Sequence, residues 1–266
     1  ILTGGVWRAA QTGQSLELFD PSAGTAFATI ARGGAADIDA AIAAARAAFE
    51  THWETTPAVE RGRHLARMAA LMTASADELA RIESRDTGKP LKQSRVDATV
   101  AARYFEFYAG AADKLQGDTI PFLPGHQAFT IREPHGVTGH IIPWNYPLQM
   151  GARTIAAALA AGNAIVLKPA EEACLTVIRL AELALEAGIP PDVINIVTGL
   201  GEEAGAALSA HPGIDHICFT GSPSVGALVQ KASADHNRSC TMELGGKSPQ
   251  IVFADADWDK ALPTVL

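Results

Sequence analysis

From Gly136 onward the chain repeats one pattern: a short apolar run, a turn rich in Pro or Gly, and a helix-length segment with apolar residues three and four apart. The apolar runs are Val137 to Ile142, Ala164 to Leu167, Val193 to Val197, His216 to Phe219 and Thr241 to Leu244. Helical segments separate them, starting near Pro147, then from Leu175 to Ala187, Glu202 to Ser209 and Ser222 to Ala234. A strand, a single helix and another strand imply a right-handed crossover between parallel neighbours. The pattern therefore predicts an α/β fold with an open, parallel, Rossmann-like sheet and helices on both faces. In such sheets ligands bind outside the carboxyl ends of the strands, so the segments just after each run are the places to look for chemistry.

The first half of the chain is built differently. Residues 1–34 alternate short apolar runs with Gly, Pro and Ser and read as small strands and turns. Helices follow: Ile38, Ile42, Ala45 and Phe49 keep helical spacing, and so do Leu65, Met68 and Met72. The segment from Asp77 to Asp86 stops at Gly88 and Pro90, and a further helix running toward Lys114 carries Val96, Val100, Tyr104 and Phe107 on one face. Over residues 113–135, Gly117, Pro121, Pro124 and Gly125 punctuate strand-like pieces, which predicts a projecting β-hairpin. After Phe253, Asp255 or Asp257 caps a helix in which Trp258, Leu262 and Val265 share a face, and the spacing predicts that this helix is cut at Leu266.

Four strand ends carry unusual residues. After Ile141 and Ile142 come Pro143, Trp144, Asn145, Tyr146 and Pro147. Two prolines fix this backbone, and Pro147 suits the first turn of a helix, where its missing N–H is not needed. The Asn145 amide is thereby offered at a strand end, where it could donate to an oxyanion, although Pro and Asn are also ordinary turn residues. The next strand ends in Lys168, Pro169, Ala170 and Glu171. A carboxylate there can accept from both hydroxyls of an adenosine ribose, with the lysine beside it; a surface ion pair is the competing reading.

Two glycine-bearing turns follow, one with Gly201 and Gly205 and one with Phe219, Thr220, Gly221 and Ser222, with Val225 and Gly226 beyond. Glycine lets backbone approach a ligand, and a helix starting at Ser222 offers N–H groups to a diphosphate. The GxGxxG fingerprint is absent, which disfavours a standard Rossmann dehydrogenase. The last end is Met242, Glu243, Leu244, Gly245, Gly246, Lys247, Ser248 and Pro249. At the end of an apolar strand, Glu243 is expected to be partly desolvated and so raised toward the range of a general base, unless nearby N–H groups satisfy it.

Together PWNYP, KPAE, FTGS with a glycine four residues after its serine, and MELGGKSP resemble, in order and approximate spacing, the aldehyde dehydrogenase superfamily, and the likeness runs through essentially the whole chain. The resemblance implies NAD(P)-dependent oxidation of an aldehyde to a carboxylic acid through a cysteine thiohemiacetal and thioester. It implies Asn145 as oxyanion donor, Glu243 as general base, Lys168 and Glu171 on the adenosine ribose, and Ser222 with Trp144 at the diphosphate. Around them, Ile141, Ile142, Pro143, Gly201, Gly205, Phe219, Thr220, Gly221, Val225 and Leu244 are expected to line the cofactor. The Glu171 charge would repel a 2′-phosphate, so NAD is expected over NADP.

The implied domains are residues 1–112 with 136–247 for NAD(P) binding, 113–135 as an oligomerisation hairpin, and 248–266 as the start of an incomplete catalytic domain. The family's nucleophilic cysteine follows the glutamate in a segment of its own, yet no cysteine occurs between Leu244 and Leu266. The nucleophile is therefore expected beyond Leu266 and the 266-residue chain alone is expected to be inactive. Cys174 and Cys218 read as buried structural thiols, and Cys240, three residues from Glu243 on one strand, points to the opposite face.

Composition narrows the partners. A formal net charge of −8, with 48% hydrophobic and 19% charged residues, fits a globular chain and leaves no broad basic surface for nucleic acid or anionic lipid. The longest apolar runs fall short of the roughly 20 residues that span a bilayer. Three scattered cysteines make no disulfide framework, and no CxxC pair points to a metal, so a reducing, cytoplasmic setting is expected. The chain starts at Ile1, which leaves a removed targeting segment open. The expected partners are a small aldehyde and further copies of the chain. The competing function is a catalytically inactive nucleotide-binding or structural protein of the same fold; a short-chain dehydrogenase is disfavoured because no tyrosine has a lysine four residues on.

Overall fold

A computed structural model describes residues 1–265. Strands β1 (Leu2–Thr3), β2 (Val6–Trp7), β3 (Ser15–Asp20) and β4 (Thr25–Ala31) precede helices α1 (Ala35–Ala48), α2 (Ala58–Ala74), α3 (Ala76–Thr87) and α4 (Leu91–Ala111). Short strands β5 (Thr119–Ile120) and β6 (Ala128–Phe129) follow. The alternating part is β7 (Val137–Ile141), α5 (Pro147–Ala160), β8 (Ala164–Lys168), α6 (Leu175–Glu186), β9 (Ile194–Ile196), α7 (Ala206–Ala210), β10 (His216–Gly221), α8 (Pro223–Ala234) and β11 (Ser239–Leu244). Helix α9 (Trp258–Val265) comes last; Asp257 accepts from the Asp259 N–H at its start, and its expected cut at Leu266 lies outside the described residues.

The local signals act where the sequence places them. Helix α3 ends on Gly88 in the left-handed region at φ 76°, a conformation that costs glycine little. Pro147 occupies the first turn of α5, and Ser222 caps α8 by accepting the Val225 N–H at 3.4 Å. The segment Gly201–Gly205 forms a turn of π-helix ahead of α7, so the helix expected from Glu202 is regular only from Ala206.

Five strands make the predicted parallel sheet, in the order β11-β10-β7-β8-β9. At one edge the sheet gains two short antiparallel strands, where β1 pairs with β9 and β2 with β1. Leu2 sits opposite Ile196 and is buried, so the N-terminal turn segment gains a place in the main core by closing that edge.

Successive residues of β8 serve opposite layers, as strand geometry requires. Ile165 and Leu167 join the core under α2, α4, α5 and α6, while Ala164 and Val166 join Ile38, Ile42, Leu208 and Val229 on the side of α1, α7 and α8. The face expected for α4 is buried only in part, with Tyr104 packed against the main core. Val96 and Phe107 are more than half exposed or nearly so, at 50% and 57%, and the buried face is Ser94, Asp97, Ala98, Ala101, Ala102 and Phe105. Alanines let α4 approach its neighbours closely, and the polar groups on that face are bonded. Lys89 reaches Asp97 at 2.8 Å and Glu83 at 3.0 Å, and Gln149 donates to Asp97 at 2.7 Å.

The segment between α4 and β7 is a hairpin, as predicted, with pairing limited to Thr119 opposite Phe129 and Ile120 opposite Ala128. Ile120, Phe122, Leu123, Phe129 and Ile131 are all exposed along it. Among the described residues no helix is long and apolar enough to cross a membrane.

At the opposite ends of the strands, Asp215 ties β7 to α1: it accepts the Val137 N–H at 2.7 Å and the Arg46 guanidinium at 2.5 Å. Gly136 enters this knot at φ 121°, where an added Cβ would stand 2.3 Å from the Asp215 carboxylate. Gly136→Ala is expected to lower stability by about 1–3 kcal/mol through backbone strain and loss of the Asp215 bonds. Urea unfolding checks this, and an unchanged midpoint would show that the knot tolerates a side chain.

Candidate functional site

The chain runs outward from β7 to β8 and β9, then returns to add β10 on the other side of β7. Strand order reverses between β7 and β10, and loops leaving these two carboxyl ends diverge around a crevice. Register brings the ends level: Lys168, Ile141, Phe219 and Met242 are partners in one row across four strands. Four of the segments singled out in the sequence follow these strands, and the Gly201–Gly205 turn follows the neighbouring β9.

Three hollows surround it. On the α1 side, a groove of about 560 Å³ runs between α7 and α8 and is lined by Ile141, Gly201, Gly205, Ser209, Val225 and Leu228. Its walls are low because glycines form them: a Cβ on Gly205 would lie 4.0 Å from both Ile141 and Lys168. Gly226 lets α8 pack on Leu244, since a Cβ there would meet the Leu244 side chain at 2.5 Å. Ser222 stands at the exposed N-terminus of α8, beside this groove through Val225; Pro223 has no N–H and the Val225 N–H is taken by the Ser222 hydroxyl, which leaves Ser224 as the first-turn N–H that the cap does not use.

Lys168 and Glu171 border the same region as a pair. The Lys168 ammonium is buried and bonds Glu171 at 2.5 Å, while the Gly201 N–H donates to the other carboxylate oxygen at 3.1 Å. Burial by itself raises the Glu171 carboxyl; the bonds from Lys168 and the backbone N–H of Gly201 outweigh it and hold the group below its ordinary value.

A second cleft, of about 560 Å³, is bordered by Leu18, Asp86, Trp144, Glu171, Glu172 and Leu200. Trp144 is thus separated from the α7–α8 groove and shares this cleft with Glu171. Asp86 caps α6 by accepting the Leu175 N–H at 2.8 Å, and burial pushes its carboxyl up to about 6.

The third hollow, about 390 Å³, lies on the other face of the sheet beneath α5 and contains His140, Arg153, Cys218, Thr220, Thr241 and Glu243. The expected desolvation of Glu243 is not observed. It lies on the outermost strand, and its side chain is exposed because no strand among the described residues covers that flank. Asn145 occupies the bend between β7 and α5, exposed and bordering none of the three hollows. Ile142 is buried in the α5-side core, Pro143 is half-buried, and Phe219 folds its ring over Gly221.

The cysteines behave as structural thiols. Cys174 is buried, and burial pushes its thiol up; Cys218 is pushed up to about 11 by burial, with the Thr241 hydroxyl opposing. Cys240 and Met242 pack on the α1-side core, on the face of β11 turned away from Glu243.

Sequence reading found the groove only as far as Val225. Leu228, Val229 and Ala232 continue its wall, and their three- and four-residue spacing from Val225 is the signal that would have found them. Arg153 and the Lys89 cluster carried no local signal, because their neighbours come from distant segments. Lys89, paired with Glu83 and Asp97, also lies 4.2 Å from the Tyr146 ring centre, next to Asn145.

The family model described as "Aldehyde dehydrogenase family" matches residues 7–266. The chain is 47% identical over 259 residues to a hydroxyisobutyraldehyde dehydrogenase of Mycolicibacterium austroafricanum, covering 97% of this chain and 51% of that protein. It is 46% identical over 260 residues to the human protein retinal dehydrogenase 2, covering 96% and 50%. Among solved structures, the NAD+ complex of an aldehyde dehydrogenase from Bacillus cereus superposes with a TM-score of 0.96 at 40% identity, covering 98% of this chain and 54% of that one. The chain spans about half the length of the curated relatives it matches.

The Lys168–Glu171 pair has a pH signature. The Glu171 carboxyl titrates below its ordinary 4.5 in the folded protein, so its contribution is complete above that value and is lost as pH falls through the folded one. Glu171→Gln leaves a buried ammonium without its carboxylate and is expected to be less stable by about 1–3 kcal/mol at neutral pH. Urea titrations of both proteins should show the gap closing as pH falls through the lowered Glu171 value; a gap that persists in acid would deny the pair its role.

Proposed function

The chain belongs to the aldehyde dehydrogenase family, and from that premise we propose that it is the part of an NAD-dependent aldehyde dehydrogenase that binds the dinucleotide and supplies the general base. The observation that carries this reading is the convergence, at the reversal of strand order, of the α7–α8 groove, the Lys168–Glu171 pair and the exposed N-terminus of α8. The residues fit such a ligand: glycines at 201 and 205 leave room for a flat base against Ile141, and Lys168 and Glu171 offer a cation and a carboxylate to a ribose. The Ser222 hydroxyl, the Ser224 N–H and the positive end of the α8 dipole face the diphosphate. Bound there, the dinucleotide supplies the acceptor for hydride.

The Glu171 carboxylate favours NAD over NADP, because a 2′-phosphate would meet a negative charge. Asn145 offers its amide to a developing oxyanion, and Glu243, exposed at the mouth of the α5-side cavity, takes a proton from water. Cys174, Cys218 and Cys240 are each buried, raised or turned away, so we place the thiolate that forms the thiohemiacetal and thioester in sequence beyond Leu266. On this reading residues 1–112 and 136–247 make the nucleotide domain, and 248–266 begin the catalytic one. The hairpin within 113–135 turns its exposed apolar residues toward another copy of the chain.

Calorimetry on the 266-residue chain, paired with an absorbance assay for reduced nicotinamide, tests the proposal. NAD is expected to bind about tenfold more tightly than NADP, roughly 1.4 kcal/mol, with no aldehyde turnover. Equal or tighter NADP binding would remove the role given to Glu171. Turnover abolished by Cys218→Ser or Cys240→Ser would place the nucleophile within this chain, and failure to bind either cofactor would favour a structural protein of the same fold.

A further inference from the structure

Six arginines are half-buried: Arg32, Arg46, Arg61, Arg153, Arg179 and Arg238. Five have acceptors. Arg32 pairs with Glu203 at 2.6 Å, Arg46 with Asp215, and Arg179 with Glu78 at 2.9 Å, while Arg61 donates to the carbonyls of Thr56 and Ala160 and Arg238 to those of Ser209 and His211. Arg153 alone has neither a carboxylate nor a carbonyl within bonding distance among the described residues. A half-buried guanidinium with no acceptor among the described residues keeps its five donors open to a planar oxyanion.

The demand is aimed at a defined place. Arg153 projects from α5 into the 390 Å³ cavity that also holds Glu243 and Thr220, near the strand ends. The wall also carries hydroxyls, histidines, Asn163 and the Cys218 thiol beside Ala157, Ala158 and Phe219, and Glu243, the one carboxylate there, makes no ion pair with Arg153. His140 adds a second unmet group, since its Nδ1 is buried with no hydrogen-bond partner in the structure. A cation without a protein partner, in the cavity that also holds the proposed base, can anchor an anionic group, while the apolar stretches of the wall accommodate the chain that carries it.

We propose that this cavity receives the anionic end of the substrate, with Arg153 forming a two-pronged bond to a carboxylate, and hence that the aldehyde belongs to the class of ω-carboxy aldehydes. The inference rests on the reading of Glu243 as the base beside the reacting carbonyl. Arg153 sets specificity and touches no reacting atom.

The test is a titration of the 15N-labelled 266-residue chain with succinic semialdehyde and with butanal, its neutral counterpart, following the arginine Nε–Hε resonances. The semialdehyde should shift the Arg153 resonance saturably and butanal should not. Arg153→Ala should weaken semialdehyde binding about tenfold or more, and Arg153→Lys should recover part of it. NAD binding measured on the same samples should match the parent in both variants, which shows that they fold. An unmoved Arg153 resonance, equal binding of butanal, or undiminished binding to Arg153→Ala would overturn the proposal. Semialdehyde binding at Arg153 without NAD binding would leave it standing and remove only the nucleotide reading.

Discussion

The reversal of strand order between β7 and β10 is the constraint on which the rest of the strand-end chemistry depends. The chain steps from β7 to β8 in one direction and from β10 to β11 in the other, so right-handed crossovers put α5 over one face and α8 over the other. The gap between them is a necessary product of the topology. Local residues then decide what the gap can hold: Pro143 and Pro147 stiffen one lip, and Ser222 caps the helix that forms the other.

The two faces of the same strands differ sharply in character. On the α1 side, glycines and alanines of Gly201–Ala210 meet Val225 and Leu228, which gives an apolar groove with a charged pair at its edge. On the α5 side, alternate residues of β7, β10 and β11 are Thr138, His140, His216, Cys218, Thr220, Thr241 and Glu243, which give a polar cavity. Strand alternation makes this division possible, since one residue to the next changes face. A ligand that lies across the strand ends therefore has an almost wholly apolar berth on one side and, on the other, one that mixes apolar surface with polar side chains and Arg153.

Much of this was legible before any coordinates. Periodicity placed every strand of the parallel sheet and every helix between them to within a few residues, because strand runs and amphipathic helices are local patterns. Ser222 as a cap and Gly88 as a stop were legible for the same reason. What failed was set by distant contacts. The buried face of α4 is the alanine face, and its Asp97 is tolerated only because Lys89 and Gln149 reach it from elsewhere. Glu243 was expected to be desolvated because its strand is apolar, but β11 is an edge, and neighbours decide burial at an edge. The pairing of β1 with β9 joins residues almost two hundred positions apart, and nothing in the first turns of the chain signals it.

The most direct test of the central claim is a crystal structure of this chain soaked or grown with NAD. The account predicts the adenosine in the groove between α7 and α8, its ribose against Lys168 and Glu171, and the diphosphate at the Ser222 end of α8. Dinucleotide density in the cleft bordered by Asp86 and Leu18, or in the polar cavity beneath α5, would contradict it.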